Sequence, residues 1–150
     1  MPFMGYRTYY RVVGEASEKT PLLLLHGGPG STHNYFEVLD SIADTGRQVI
    51  SYDQIGCGNS YLDGHPELWT QKTWIDELIA IREYLHLDTV HILGQSWGAM
   101  QAIAYVIDRH PFQAKEALHR YIVTFEQKEK REALSSVPFL FGESINSFLQ

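Results

Sequence analysis

The chain has 150 residues, enough for one domain with a real core, and 44% hydrophobic and 20% charged residues are those of an ordinary globular protein. A formal charge of -6 argues against a nucleic-acid or anionic-membrane partner, and no apolar stretch approaches a membrane span. The N-terminus, Met1 to Arg7, lacks the apolar region of a signal peptide, and the single Cys57 excludes an internal disulfide framework and suits a reducing cytoplasm.

Tyr6 to Val13 is rich in Tyr, Thr and Val and predicts a strand; Gly14 to Thr20 is a polar turn. Pro21 opens Leu22-Leu23-Leu24-Leu25, too short for a helix and typical of a strand buried on both faces. That run ends in His26-Gly27-Gly28-Pro29-Gly30. Asn34 to Ala43 carries Tyr35, Phe36, Val38, Leu39 and Ile42 at helical spacing, and Arg47 to Tyr52 is a second core strand ending at Asp53. A loop, Gln54 to Pro66, follows. Thr73, with Asp76 three residues on, predicts a helix N-cap, after which Trp74, Ile75, Leu78, Ile81 and Leu85 form an apolar stripe. Val90 to Leu93 reads as a strand ending near Gly94, and Trp97 to Arg109 as a helix. Strands alternating with helices predict an α/β fold with a mostly parallel sheet and flanking helices.

From Asp108 onward the pattern changes. Pro111 stops the preceding helix. Ala117, Leu118, Tyr121, Ile122 and Phe125 suggest one amphipathic helix running into the charged Glu126 to Glu132, a solvated face. Tyr121 to Phe125 also fits a strand, although no further buried strand stands out. Ser135 to Gln150 has no clear period and reads as a loop with a short terminal helix. The organisation expected is an N-terminal α/β unit over 1–110 and a helical segment over 111–150 with no assigned role.

Between its strand and its helix stands Gly94-Gln95-Ser96-Trp97-Gly98. This context makes a Gly-x-Ser-x-Gly pattern a nucleophile elbow: the turn holds Ser96 strained and exposed, and the next N–H, that of Trp97, points where an oxyanion would form. The alternative is a tight turn that happens to contain a serine. Gly27-Gly28-Pro29-Gly30 lets backbone approach a ligand. It is no P-loop, because Ser31-Thr32 follows Gly30 without the lysine, and Gly56-Cys57-Gly58 is no dinucleotide loop, because Tyr61 takes the third glycine position. An oxyanion loop fits better, with a structural turn as the alternative.

His26-Gly27-Gly28-Pro29-Gly30, Asp53-Gln54-Ile55-Gly56-Cys57-Gly58-Asn59-Ser60 and Gly94-Gln95-Ser96-Trp97-Gly98, in this order and spacing, resemble proline iminopeptidases (prolyl aminopeptidases). These α/β-hydrolase serine peptidases release N-terminal proline from peptides. The resemblance runs from about Gly5 to Ile107. It implies Ser96 as nucleophile and the Gly28 and Trp97 N–H groups as the oxyanion hole. It also implies a loop-shaping role for His26 and a bracing role for Asp53 and its loop. No cofactor is implied; the implied partner is a peptide with N-terminal proline.

The chain departs from the family at Ala99, where a second glycine is usual, and after the elbow helix. There the family continues with a core strand, a helical cap, and strands bearing the catalytic Asp and His. Asp108 to Gln150 does not map onto that pattern, so the α/β-hydrolase core is expected to be incomplete toward the C-terminus. The triad is not completed locally. Asp108 lies twelve residues along the same helix, roughly 18 Å from Ser96, whereas a base must come within roughly 3 Å. His110 fails likewise, and His119 lies beyond Pro111. No histidine has metal-motif spacing. The expectation is a nucleophile and oxyanion hole without a general base, and a marginal monomer or a homo-oligomer covering an open edge at the elbow strand. The competing readings are an esterase, amidase or lactonase on the same fold, and an inactive fragment.

Overall fold

The structure, a computed structural model, describes residues 1–109 and 121–124. A five-stranded sheet forms its centre, in the order β3 (Tyr10–Val13), β5 (Val49–Tyr52), β4 (Leu22–Leu25), β6 (His91–Gln95), β7 (Tyr121–Thr124). β3 is antiparallel to β5, and the other pairs are parallel. A two-stranded ribbon, β1 (Pro2–Phe3) with β2 (Tyr6–Arg7), precedes it. The expected mostly parallel α/β sheet is therefore present.

Every side chain of β4 is buried, and strand alternation divides them between two cores. Leu23 and Leu25 join Ile50, Ile92 and the helices α1 (Gln71–Tyr84) and α2 (Trp97–Arg109) through Leu78, Ile81, Ala99 and Ala102. Leu22 and Leu24 face the other way, onto Val49 and Phe36. Covering both faces is what a central parallel strand requires.

Four expectations are corrected. The single strand over Tyr6 to Val13 breaks into β2 and β3, because Thr8 turns its side chain into the interior and its N–H bonds the Met1 carbonyl, while the Tyr9 N–H goes to Ser60 Oγ. Asn34–Thr45 is a 3₁₀ helix. Its period of three puts Phe36, Leu39 and Ile42 on the sheet and leaves Val38 79% exposed. The N-cap of α1 is Thr70, whose side chain accepts the Thr73 N–H; Asp76 instead pairs with Lys72 on the exposed face. Tyr121–Thr124 is a strand, not part of a helix: it pairs in parallel along β6, from Ile92↔Tyr121 to Gln95↔Thr124. The elbow strand is thereby internal, and the open edge expected there is not found. The readings for His110, Pro111, Ala117, Leu118, His119 and 125–150 lie outside the described residues. Among the described residues no helix is long and apolar enough to cross a membrane.

Candidate active site

The three glycine-bearing segments follow three adjacent strands. β5, β4 and β6 run parallel, so their C-terminal ends lie along one side of the sheet, where open α/β sheets place their ligands. The register Leu25↔Gly94 sets the loop after β4 beside the turn after β6.

At that turn β6 ends at Gln95, α2 begins at Trp97, and Ser96 between them has φ 52°. A non-glycine residue in the left-handed region costs of order 1–3 kcal/mol and persists only where surrounding structure holds it. Here the hold is a close helix–strand contact. A methyl group at Gly98 would stand 2.0 Å from the Leu25 carbonyl oxygen, and one at Gly94 would stand 2.4 Å from the Gly98 oxygen. The Ala99 methyl, by contrast, is buried among core side chains, so the tight helix–strand contact falls at Gly98 and the alanine is accommodated.

The loop after β4 closes over Ser96. A methyl at Gly27 would stand 3.2 Å from Ser96 Cβ and 2.3 Å from Gln95 Oε1. Tyr35 binds both sides of this junction: its hydroxyl accepts the Gly27 N–H at 2.6 Å and donates to Gln95 Oε1 at 2.9 Å. The peptide bond Gly28–Pro29 is cis, and Gly28 has φ 121°. Among the described residues no hydrogen bond uses the N–H of Gly28 or Trp97. The Gly27 N–H, taken by Tyr35, is not free to join them.

His26 is fully buried. Its Nε2 accepts the Gln54 N–H at 2.9 Å, so the proton sits on Nδ1, which donates to the Gly27 carbonyl at 2.8 Å. Burial pushes its pKa below the usual histidine value. With both ring nitrogens occupied, His26 ties the loop after β4 to the loop after β5 and is no base for Ser96.

Asp53, also fully buried, performs a similar function beyond β5. One oxygen accepts the His33 N–H at 2.8 Å and His33 Nδ1 at 2.7 Å; the other accepts the Asn59 N–H at 2.8 Å and Asn59 Nδ2 at 2.9 Å. Burial raises its pKa, but the hydrogen bonds from Asn59 and His33 outweigh it and hold the carboxyl below its ordinary value. A methyl at Gly58 would stand 2.5 Å from this carboxylate, which explains glycine there.

Beside the Pro29–Gly30 turn lies a recess of about 220 Å³ lined by Pro29, Gly30, Ile55, Gly56, Cys57, Trp69 and Trp74. The Trp74 ring meets the Trp97 ring edge-on at 5.0 Å, which brings the recess within one residue of Ser96. Cys57 reaches this crevice, but it is only 4% exposed and burial pushes its thiol up to about 11. It is therefore a poor target for thiol reagents in the folded chain.

Sequence reasoning missed Tyr35, Gln95 and Glu77, because their roles depend on partners distant in sequence. His33, too, is buried and bonded to Asp53, a contact that only the folded chain brings about. Among the described residues no group of His, Cys, Asp and Glu is placed to hold a metal ion, and none of the described histidines bonds to Ser96.

Residues 20–117 match the family model described as alpha/beta hydrolase fold. Curated relatives include proline iminopeptidases of Clostridioides difficile, 69% identical over 112 residues (74% of this chain, 38% of the relative), and of Clostridium botulinum, 52% identical over 146 residues (92% and 48%). Among solved structures, proline iminopeptidase of Mycobacterium smegmatis superposes with a TM-score of 0.67 at 36% identity, covering 81% of this chain and 40% of that one. VinJ superposes with a TM-score of 0.69 at 29% identity, covering 99% and 57%. The chain spans less than half the length of the curated relatives named here.

Proposed function

The chain belongs to the alpha/beta hydrolase fold family, and from that premise we propose that it is the nucleophile-bearing part of a proline iminopeptidase-type serine hydrolase, acting on peptides with an N-terminal proline. The observation that carries this reading is Ser96, held at φ 52° between β6 and α2 with the Gly27 loop packed on it.

In the proposed mechanism the Ser96 hydroxyl attacks the carbonyl carbon of the N-terminal proline. The carbonyl oxygen gains negative charge and is met by the Gly28 and Trp97 N–H groups, each such donor being worth about 3–4 kcal/mol in the transition state. A general base takes the serine proton and returns it to the leaving amine; water then releases proline from the acyl-enzyme. None of the described residues is placed to be that base. The base and the groups that hold the proline amine are assigned to parts of the site outside the described residues. The charge of -6 disfavours a nucleic-acid or anionic-membrane partner, and the single cysteine suits a cytoplasmic setting.

The test is a chimera in which this chain's residues 1–117 replace the matching part of the Clostridioides difficile relative, assayed on proline 4-nitroanilide, alanine 4-nitroanilide and 4-nitrophenyl acetate. The expected result is a preference for the proline anilide, with turnover falling about 10⁴-fold or more on Ser96→Ala. Undiminished turnover in Ser96→Ala overturns the reading, and a preference for the ester shifts it to an esterase. The 150-residue chain alone is expected to show at most the residual catalysis of an oxyanion hole, on the order of 10³–10⁴ over water.

A further inference from the structure

Glu77 stands outside the proposed chemistry, yet it is fully buried on α1 one turn after Trp74. Its Oε1 accepts the Thr8 hydroxyl at 2.5 Å and its Oε2 accepts the Ile55 N–H at 2.8 Å. No lysine, arginine or histidine among the described residues forms an ion pair with it. A carboxyl so placed is costly to bury, and burial pushes its pKa up to about 7. A leucine would fill the same space between Trp74 and Ile81 without that cost, so the carboxyl's distinctive contribution is its two acceptor oxygens.

Those oxygens grip one wall of the recess beside Ser96. Ile55, Gly56 and Cys57 form that wall, and Trp74 on α1 forms another. Gly56 has φ 82° and lies so close under Trp69 that a methyl there would stand 2.7 Å from Trp69 Nε1. Cys57 faces the Gly30 N–H across the recess. Backbone bonds hold the rest of the wall, Gly56 N–H to the Ser60 carbonyl and Cys57 N–H to the Gln54 carbonyl, while at Ile55 the N–H is held by a side chain from another element, Glu77 on α1.

We infer that Glu77 is a positioning residue: by holding the Ile55 N–H and the Thr8 hydroxyl together it fixes the Ile55–Cys57 wall of the recess, and so the fit of a compact apolar substrate group beside Ser96. The inference rests on the reading of Ser96 as the reacting centre, but its test needs no hydrolysis, so the two fail separately.

The probe is the chain's single cysteine. Labelling of Cys57 by N-ethylmaleimide is followed in the whole chain across a series of low urea concentrations, beside the thermal midpoint and the exchange rate of the Ile55 amide. Glu77→Gln keeps an acceptor for Ile55 and a group that bonds Thr8, and is expected to label within about twofold of the parent. Glu77→Leu removes both contacts and is expected to label about tenfold faster or more, without urea dependence, as a local opening does. Glu77→Asp, one methylene short of holding both partners, is expected to behave like Glu77→Leu and carries the test if Glu77→Leu does not fold. Labelling of the Leu and Asp variants as slow as the parent's, labelling that tracks global unfolding, or a Gln variant as fast as the Leu variant overturns the inference.

Discussion

Tyr35 donates its hydroxyl to Gln95 Oε1 at 2.9 Å, across the junction between the loop after β4 and the elbow. The Tyr35 hydroxyl oxygen itself accepts the Gly27 N–H, so one phenol sets the spacing between the backbone that would carry the oxyanion donor Gly28 and the residue before Ser96. Tyr35→Phe removes both contacts and leaves the Gly27 N–H unpaired. The expected loss is about 1–3 kcal/mol in urea unfolding, with faster exchange of the Gly27 amide.

Two glycines with different surroundings separate packing from strain. A methyl at Gly98 meets the Leu25 carbonyl oxygen at 2.0 Å and the His26 carbonyl oxygen at 2.7 Å, backbone atoms rather than the end of a flexible side chain. Gly98→Ala is expected to cost about 3 kcal/mol or more, measured as a shift in the urea midpoint. At Gly30 a methyl meets nothing within 4 Å, but φ is 98°. Gly30→Ala is expected to cost about 1–2 kcal/mol, from backbone strain alone.

Asp53→Asn replaces an acceptor of two N–H groups by a donor facing them. Turned either way, the amide opposes two of the four donors supplied by His33 and Asn59. The expected loss is about 2–3 kcal/mol at neutral pH. Because the folded pKa of Asp53 is depressed, its contribution is present above the ordinary aspartate pKa and lost as pH falls through the folded value, so the gap between parent and variant narrows in acid. Denaturant melts of both proteins from neutral to acid pH measure it.

Glu77 has the opposite sign. Its folded pKa, about 7, lies above the ordinary glutamate value of 4.5, so between these values the folded chain binds more protons than the unfolded one and stability from this group falls as pH rises. The titratable groups facing it, the Tyr52 phenol and the Cys57 thiol, are both pushed up by burial and stay neutral across this window. Glu77→Gln has no such titration. The variant should gain on the parent from pH 4.5 to about 7, by at most about 3 kcal/mol, and hold that lead above. Paired melts across this range check it; a lead that does not grow overturns the sign.

Much of this fold is legible in local pattern. Four consecutive leucines after Pro21 can be little else than a strand covered on both faces, and Gly-x-Ser-x-Gly after an apolar run needs only its immediate neighbours to be read as a turn. The segments misread are those settled by distant partners. Tyr6 to Val13 carries strand residues throughout, and the break at Thr8 is made by partners elsewhere in the chain: Glu77 for the Thr8 hydroxyl, Met1 for its N–H and Ser60 for the N–H of Tyr9. Tyr121–Thr124 has a composition that fits either period, and β6 beside it decides for strand. In the site, Ser96 and the glycines show in the sequence because backbone geometry demands particular residues there. Tyr35, Gln95 and Glu77 do not, because a tyrosine, a glutamine or a glutamate has many uses on a surface and only the folded chain shows which partners these three meet.

The register Leu25↔Gly94 also bears on how the protein comes into being. Every contact described around Ser96, from Tyr35 to Gly98, is made within the first 109 residues, and the two strands that carry the reacting loops are neighbours. A ribosome releases its product N-terminus first. The strained turn can thus be set while the rest of the polypeptide is still being translated, and later segments would dock onto a nucleophile already in place. Stalled nascent chains long enough for Arg109 to have left the exit tunnel are therefore expected to protect the Gly27 amide from exchange, and chains in which Gly94 has not yet emerged are not.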